Sequence, residues 1–272
     1  HHHLMQIYRQ ADVCWISSIR DGMNLVAKEY IAAQNPSNPG VLILSKYAGV
    51  AEHMSEALLV DPTDKMAMVN ALKKVDGKLI HISTDYVFDG NHSQPYKESD
   101  PVSPIGVYGE TKRAGELAVL SSSIDAIVIR TSWLYSAYGN NFVKTMLKLG
   151  HDRDELGVIF DQVGTPTNAS DLAKTCLDIL SDKSSENISA SGKIYHYSNE
   201  GVTSWYDFSK AIMELGSNDC KLRPIETKDY PTPAKRPHFS VLNKTKIKKD
   251  FNIEIPYWRD SLEKCIEKLN SN

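Results

Sequence analysis

The sequence predicts an α/β protein, with a doubly wound parallel sheet followed by a smaller, loop-rich C-terminal portion. Three observations carry that expectation. Strand-like and helix-like pieces alternate from residue 11 to residue 199, the pattern of parallel strands joined by crossover helices. The apolar run KLIHIST at 78–84 reads as a buried strand. Beyond Glu200 two helical segments stand among Pro-rich loops. Together these give a Rossmann-like sheet with a smaller, loop-rich C-terminal portion.

Taken in order, ADVCWISS (11–18) reads as a strand and NLVAKEYIAAQ (24–34) as an amphipathic helix. GVLILS (40–45), ALLV (57–60) and KLIHIST follow as strands. GVAEHM (49–54) is a short helix, and DKMAMVNALKKV (64–75) a long one. Asn35-Pro36, Pro39-Gly40 and Asp76-Gly77 are turn signals. TKRAGELAVL (111–120) reads as a helix, and DAIVIRTSWLY (125–135) as one long β-branched strand. NFVKTMLKLG (141–150) and DLAKTCLDILSD (171–182) are helices; GVIFDQ (157–162) and KIYHYSN (193–199) are strands. WYDFSKAIMELG (205–216) and DSLEKCIEKLN (260–270) close the list as helices.

Composition narrows the class. The chain has 272 residues, 41% apolar and 24% charged, with a net charge of −3. That suits a globular protein with a large core and gives no basic footprint for nucleic acid. No apolar run approaches membrane-spanning length, and no secretory leader is expected. Cys14, Cys176, Cys220 and Cys265 form no C-x-x-C pair, so no metal site is expected and a reduced, cytoplasmic setting is. His1–His3 read as the end of an expression tag.

The chemistry is concentrated in Thr84, Tyr108 and Lys112. Tyr108 and Lys112 are four residues apart in VYGETKRAGELAVL and so share a helix face. Thr84 ends the KLIHIST strand. Reduction of a ketone by a nicotinamide needs a proton donor beside the carbonyl oxygen. Free tyrosine has a pKa of about 10, and a nearby ammonium favours the phenolate. Lowering the value by roughly three units requires on the order of 4 kcal/mol, within reach of one buried ammonium at hydrogen-bonding range. A hydroxyl such as that of Thr84 can align the substrate oxygen. Tyr-x-x-x-Lys by itself is a cheap pattern, and Tyr206 and Lys210 repeat it. That second pair follows no comparable strand and is expected to be structural.

HISTDYVFDG (81–90), PYKESDPVSPIGVYGETKRAGE (95–116), IRTSWLYS (129–136), DQVGTPT (161–167), YHYSNEGVTSWYDFSKAI (195–212) and AKRPHFSVLN (234–243) together resemble dTDP-4-dehydrorhamnose reductase, an NADPH-dependent extended short-chain dehydrogenase. The resemblance runs from about residue 78 to residue 269. It implies that Thr84, Tyr108 and Lys112 are the catalytic set, with Asp85 and Trp133 near the sugar. It also implies Arg236 at a nucleotide phosphate, where a bidentate guanidinium fits. The small-molecule partner would be a nucleotide sugar.

That family opens on a Gly-rich turn, yet no G-x-G-x-x-G occurs in this chain. Residues 11–64, and RDGMNLVAKEY (20–30) above all, instead resemble the C-terminal domain of trehalose-6-phosphate synthase, a glycosyltransferase using UDP-glucose. This implies donor contacts at Asp21, Gly22, Met23, Asn24, Leu25, Val26 and Glu29. A helix opening there would offer free N–H groups to a diphosphate.

An engineered chimera follows as the expectation. Residues 4–75 would form the first half of the sheet, 78–199 the second half with the catalytic residues, and 200–272 the substrate-binding portion. The strand order would be 3-2-1-4-5. Lys46 would then lie at the 2′-phosphate of NADPH and Asp61 near its adenine, with IRDGMN in place of the glycine loop. Arg20, Asp21 and Met23 are bulky and Asp21 is anionic, so weak NADPH binding and impaired activity are expected. Two alternatives stay open: a folded chimera that at most binds a nucleotide-sugar diphosphate, and a glycosyltransferase fragment. The second alternative lacks the partner domain that completes such a cleft.

Overall fold

The computed structural model describes residues 5–6, 8–9, 11–16, 18, 25–74, 79–121, 126–181, 193–230, 232 and 235–271. It has an α/β Rossmann-like fold built on parallel sheets. Two compact units make up the chain: His1–Leu79 with Ala118–Ala126, and Ile80–Leu117 with Ile127–Asn272.

The first unit holds a parallel three-stranded sheet in the order β1 (Val13–Ile16), β2 (Val41–Ser45), β3 (Leu58–Val60). Val13 pairs with Val41, and Ile43 with Leu58. The central strand VLILS is nearly continuous in apolar residues because it is covered on both faces. Leu44 packs with Ala27 and Tyr30 of helix α1 (Leu25–Ala33) on one side, while Ile43 packs with Val60 and Ala71 on the other. Ala71 belongs to helix α2 (Lys65–Lys73). Burying a side chain such as Ile43 or Leu44 contributes roughly 1.5–3 kcal/mol. Tyr30 is fully buried, with its hydroxyl donating to Ala11 O at 3.0 Å.

The second unit is organised on β4 (Leu79–Thr84), β5 (Ala126–Thr131) and a later strand, β10 (Ile194–His196), with β5 in the middle. AIVIRT of β5 is buried at every position. Ile127 and Ile129 pack with Leu172 and Ile179 of helix α5 (Ala169–Ser181) and with Ile247 and Phe251 of helix α7 (Thr245–Phe251). Helix α3 (Val107–Ser121) carries the Tyr-x-x-x-Lys segment.

A separate core joins helices α4 (Phe142–Asp152), α6 (Trp205–Leu215) and α8 (Trp258–Asn270) around Val143, Phe208, Ile212 and Leu262. Asn141 caps α4 by accepting from Lys144 N at 3.3 Å, and Ser204 caps α6 by accepting from Asp207 N at 3.0 Å. Short strands surround these helices. β6 (Leu134–Tyr135) pairs with β9 (Thr167–Asn168), and β8 (Val163–Gly164) with β11 (Thr203–Ser204).

The structure differs from the sequence reading in several places: the expected order 3-2-1-4-5 appears as two separate three-stranded sheets, and helix α7 was not expected. The expected single strand 125–135 is broken: β5 stops at Thr131, and Trp133 takes a left-handed backbone at φ 46° before β6 begins. The strand expected at 157–162 is β7 (Glu155–Ile159), shifted towards the N-terminus because it pairs from Glu155 onward with β12 (Lys221–Ile225). β12 escapes a sequence reading because Pro224 argues against a strand. In a two-stranded sheet each strand has an open edge, where a missing N–H is tolerated. Tyr206 of the second Tyr-x-x-x-Lys pair directs its hydroxyl to Leu222 O at 3.5 Å on this strand.

Candidate active site

The candidate site is built on one turn and one helix of the second unit. Thr84 ends β4 and opens a short 3-10 turn, Asp85–Val87. Its hydroxyl Oγ1 accepts from Tyr86 N at 3.2 Å and donates to Asp85 Oδ1 at 2.9 Å. Helix α3 starts at Val107, four residues before the expected start, which places Tyr108 in its first turn. There Tyr108 is 55% exposed, and its ring meets that of Tyr86 edge-on at 5.6 Å. Lys112, one turn further, turns inward and donates from Nζ to Ile82 O at 3.2 Å. Thr84 and Tyr108 thus both contact Tyr86, while Lys112 reaches the β4 backbone at Ile82. Tyr86 is itself largely enclosed; burial raises its pKa first, with Asp85 adding to the rise and Arg236 opposing it.

Gly109 makes this approach possible. A Cβ at Gly109 would overlap the carbonyl oxygen of Tyr86 and lie 2.9 Å from Pro104 Cβ. The helix can therefore settle on the Tyr86 backbone only with glycine after Tyr108. A glycine inside a helix costs about 1 kcal/mol relative to alanine, and that local mismatch was a signal available in VYGETK. Gly109→Ala is expected to destabilise the fold by about 1–3 kcal/mol and to displace Tyr108. Thermal denaturation and the turnover assay described below measure the two effects.

Beneath the site lies a buried ionic network invisible from spacing alone. Glu116 of α3 accepts from Arg130 of β5 through Nε and Nη2, both at 2.8 Å. Ser83 Oγ donates to Glu116 Oε1 at 2.7 Å, and Arg113 Nη1 donates to Oε2 at 2.8 Å. Burial pushes the Glu116 pKa up, but the hydrogen bonds and charge of Arg130, with Ser83 and Arg113, outweigh it and hold the carboxyl below its ordinary value. The network ties α3 to β4 one residue before Thr84. For His81, one strand residue earlier on that side, burial first and the positive charge of Lys112 second lower the pKa, with Glu116 opposing.

The remaining expected residues fall on both units. Asp85 is 3% exposed, and burial pushes its carboxyl up to about 7, against the opposing pull of the Thr84 and Ser240 hydroxyls. Trp133 lies flat on Trp205, rings 3.6 Å apart and 9° from parallel. Gly164 leaves room for it: a Cβ there would come within 2.7 Å of the Trp133 ring. A left-handed backbone at a bulky residue costs on the order of 1–3 kcal/mol and concentrates at functional sites. Arg236 is exposed and lines a cavity of 430 Å³ with Trp205, Phe142 and Tyr230. Sequence reasoning missed those three aromatics, which lie on separate segments.

In the first unit, Lys46 and Asp61 directly follow β2 and β3. They pair at 2.7 Å, and Tyr47 donates to Asp61 at 3.0 Å. Hydrogen bonds from Lys46 and Thr63 hold the Asp61 carboxyl well below the carboxylate range. Leu25 and Val26 are exposed on α1, and Glu29 is half-buried. Asp21, Gly22, Met23 and Asn24 lie outside the described residues.

Comparison with known proteins gives the family. The RmlD substrate binding domain matches residues 46–271. Glycosyltransferase family 20 matches residues 1–75, so the two matches overlap. A dTDP-4-dehydrorhamnose reductase from Sinorhizobium fredii is 36% identical over 256 residues, 91% of this chain and 86% of the relative. That share necessarily takes in part of the front third. The enzyme of the same name from Aggregatibacter actinomycetemcomitans is 40% identical over 83% of this chain and 80% of its own. Among solved structures, a dTDP-4-dehydrorhamnose reductase from Clostridium acetobutylicum superposes with a TM-score of 0.71 at 36% identity, covering 85% of this chain and 81% of that one. One from Bacillus anthracis in complex with NADP gives 0.70 at 31% identity, over 90% and 83%. By sequence and by fold, this chain belongs to the dTDP-4-dehydrorhamnose reductase family.

Proposed function

We propose that the chain is an NADPH-dependent reductase of the 4-keto group of dTDP-4-dehydrorhamnose, forming the corresponding alcohol. The observation that carries this reading is the packing of α3 on the Tyr86 turn, with Tyr108 open to a ligand and Lys112 fixed on Ile82 O. Bound NADPH supplies the hydride that the carbonyl carbon takes, leaving NADP+. Tyr108 gives its O–H proton to the carbonyl oxygen, so the ketone gains one hydride and one proton. The Lys112 ammonium, on the same helix face, stabilises the phenolate left behind. Thr84 hydrogen-bonds the carbonyl oxygen and holds it in line. Trp133 serves the sugar, with Asp85 bearing on it from beneath through Thr84, and Arg236 meets a phosphate at the rim of the aromatic cavity, whose Trp205 and Tyr230 suit a pyrimidine face. Residues 200–272 are on this reading the substrate-binding portion.

At the strand ends, the described residues of the first unit offer a dinucleotide one ammonium, Lys46, which is paired with Asp61 at 2.7 Å. The parallel strands of that unit lead into Lys46, Tyr47 and Asp61, at the carboxyl edge where open α/β sheets bind ligands. Lys46 would meet the 2′-phosphate and Asp61 would lie near adenine, with Asp21, Gly22, Met23, Asn24, Leu25, Val26 and Glu29 as further candidate contacts. The glycosyltransferase match over residues 1–75 supports a front segment of different origin. On that view NADPH binding is weak and activity impaired.

Consumption of NADPH, followed optically with dTDP-4-dehydrorhamnose present, tests the function. Turnover dependent on both is expected. Saturable NADPH binding by fluorescence without turnover would instead favour a non-catalytic binder of nucleotides.

A further inference from the structure

Thr84 has one proton to give, and the hydrogen bonds around it decide where that proton points. A hydroxyl offers one donor and two acceptor positions. The Thr84 oxygen already accepts from Tyr86 N at 3.2 Å and stands 2.9 Å from Asp85 Oδ1. A charged carboxylate only accepts. Facing a charged Asp85, Thr84 must spend its proton on Oδ1 and has none for a ketone oxygen. A protonated Asp85 donates to the second acceptor position of Thr84 instead, and the Thr84 proton is released towards the substrate.

We propose that Asp85 acts as a positioning residue which, when protonated, turns the Thr84 hydroxyl outward as the hydrogen-bond donor to the substrate carbonyl. This rests on the reductase reading given above. The surroundings suit a proton-holding carboxyl. Asp85 is 3% exposed, and its Oδ2 is sealed from solvent and accepts no hydrogen bond among the described residues. The Ser240 hydroxyl lies near without closing that gap. Burial without a countercharge favours the neutral acid, and its titration is accordingly raised into the neutral range. Among the described residues, the other titratable or charged groups about this turn are Tyr86 on the turn itself, Tyr108 and Lys112 on the helix packed against Tyr86, and Arg236 and His238 on the segment that brings Ser240, all kept in the variants tested below. None makes an ion pair with Asp85 among the described residues.

The test is the pH profile of kcat in the native chain, Asp85→Asn and Thr84→Val. In the native chain kcat is expected to fall about 100-fold as Asp85 ionises, the effect of removing one hydrogen bond to a developing oxyanion. Asp85→Asn, whose amide can donate to Thr84 at every pH, should lack that fall. Thr84→Val should be low throughout and lack it too. Tyr86, Tyr108, Lys112, Arg236 and His238 are present in all three chains, so the difference between profiles reports Asp85. An unchanged alkaline fall in either variant overturns the proposal. A second measurement needs no turnover. The side-chain carboxyl carbon of Asp85, assigned by its loss in Asp85→Asn, should titrate near neutrality by carbon-13 NMR. Its midpoint should move upward in Thr84→Val, where the carboxylate loses a donor. A midpoint in the ordinary range of about 4 overturns the proposal even in an active enzyme. Absence of all turnover with a neutral midpoint overturns the reductase reading and leaves the Thr84–Asp85 device standing.

Discussion

Replacing Arg130 with leucine is expected to destabilise the chain by about 3–5 kcal/mol. The change leaves Glu116 buried without its bidentate partner. Ser83 Oγ and Arg113 remain, but Arg113 is part-exposed and contributes one hydrogen bond. Chemical denaturation of native chain and variant measures the loss. The effect has a defined pH dependence. The folded state holds the Glu116 carboxyl below its ordinary value, so the unfolded chain binds its proton more readily. Stability from this group is therefore complete above the unfolded pKa of about 4.3 and is lost as pH falls through the lower, folded value. In Arg130→Leu that acid-side loss should shrink, because burial is then opposed only by the Ser83 hydrogen bond and Arg113. Double replacement of Glu116 and Arg130 by apolar residues should recover most of the stability, since a buried ion pair is dispensable once both charges leave together.

Tyr108→Phe is expected to lower kcat by about 100- to 10,000-fold, with KM for the keto sugar nearly unchanged. The hydroxyl is the proposed proton donor, and the ring keeps its edge-on contact with Tyr86. The ring is exposed, so loss of the hydroxyl leaves no buried group without a partner. Turnover equal to that of the native chain would remove Tyr108 from the mechanism. A rise in KM at constant kcat would give it a binding role instead.

Periodicity carried the frame of the fold. VLILS and AIVIRT, read as strands, are buried over most or all of their length, whereas KLIHIST, read as a buried strand, is fully buried only at Ser83 and Thr84. The placement of Thr84 at a strand end and of Tyr108 and Lys112 on one helix was legible because strand end and helix face are local properties. The ionic network was not, since Ser83, Glu116 and Arg130 come from three elements and no local rule brings them together. Trp133 is the opposite case. Its β-branched neighbourhood predicted an uninterrupted strand, and tertiary packing on Gly164 and Trp205 broke it. The cavity aromatics Phe142, Trp205 and Tyr230 read as ordinary core or loop residues until the chain was folded.

Gly109 alters what the Tyr-x-x-x-Lys pattern means as a search rule. The first variable position is set by the distance between two backbones, and chemistry has no say in it. A filter of the form Tyr-Gly-x-x-Lys, preceded by a strand ending in a hydroxyl residue, would keep Tyr108 and discard Tyr206, which Asp207 follows. In a library that randomised the three middle residues, the survivors would be biased towards glycine at the first and free at positions that face solvent, such as Glu110. The motif's information thus resides as much in the atom that is missing after the tyrosine as in the two side chains that name it.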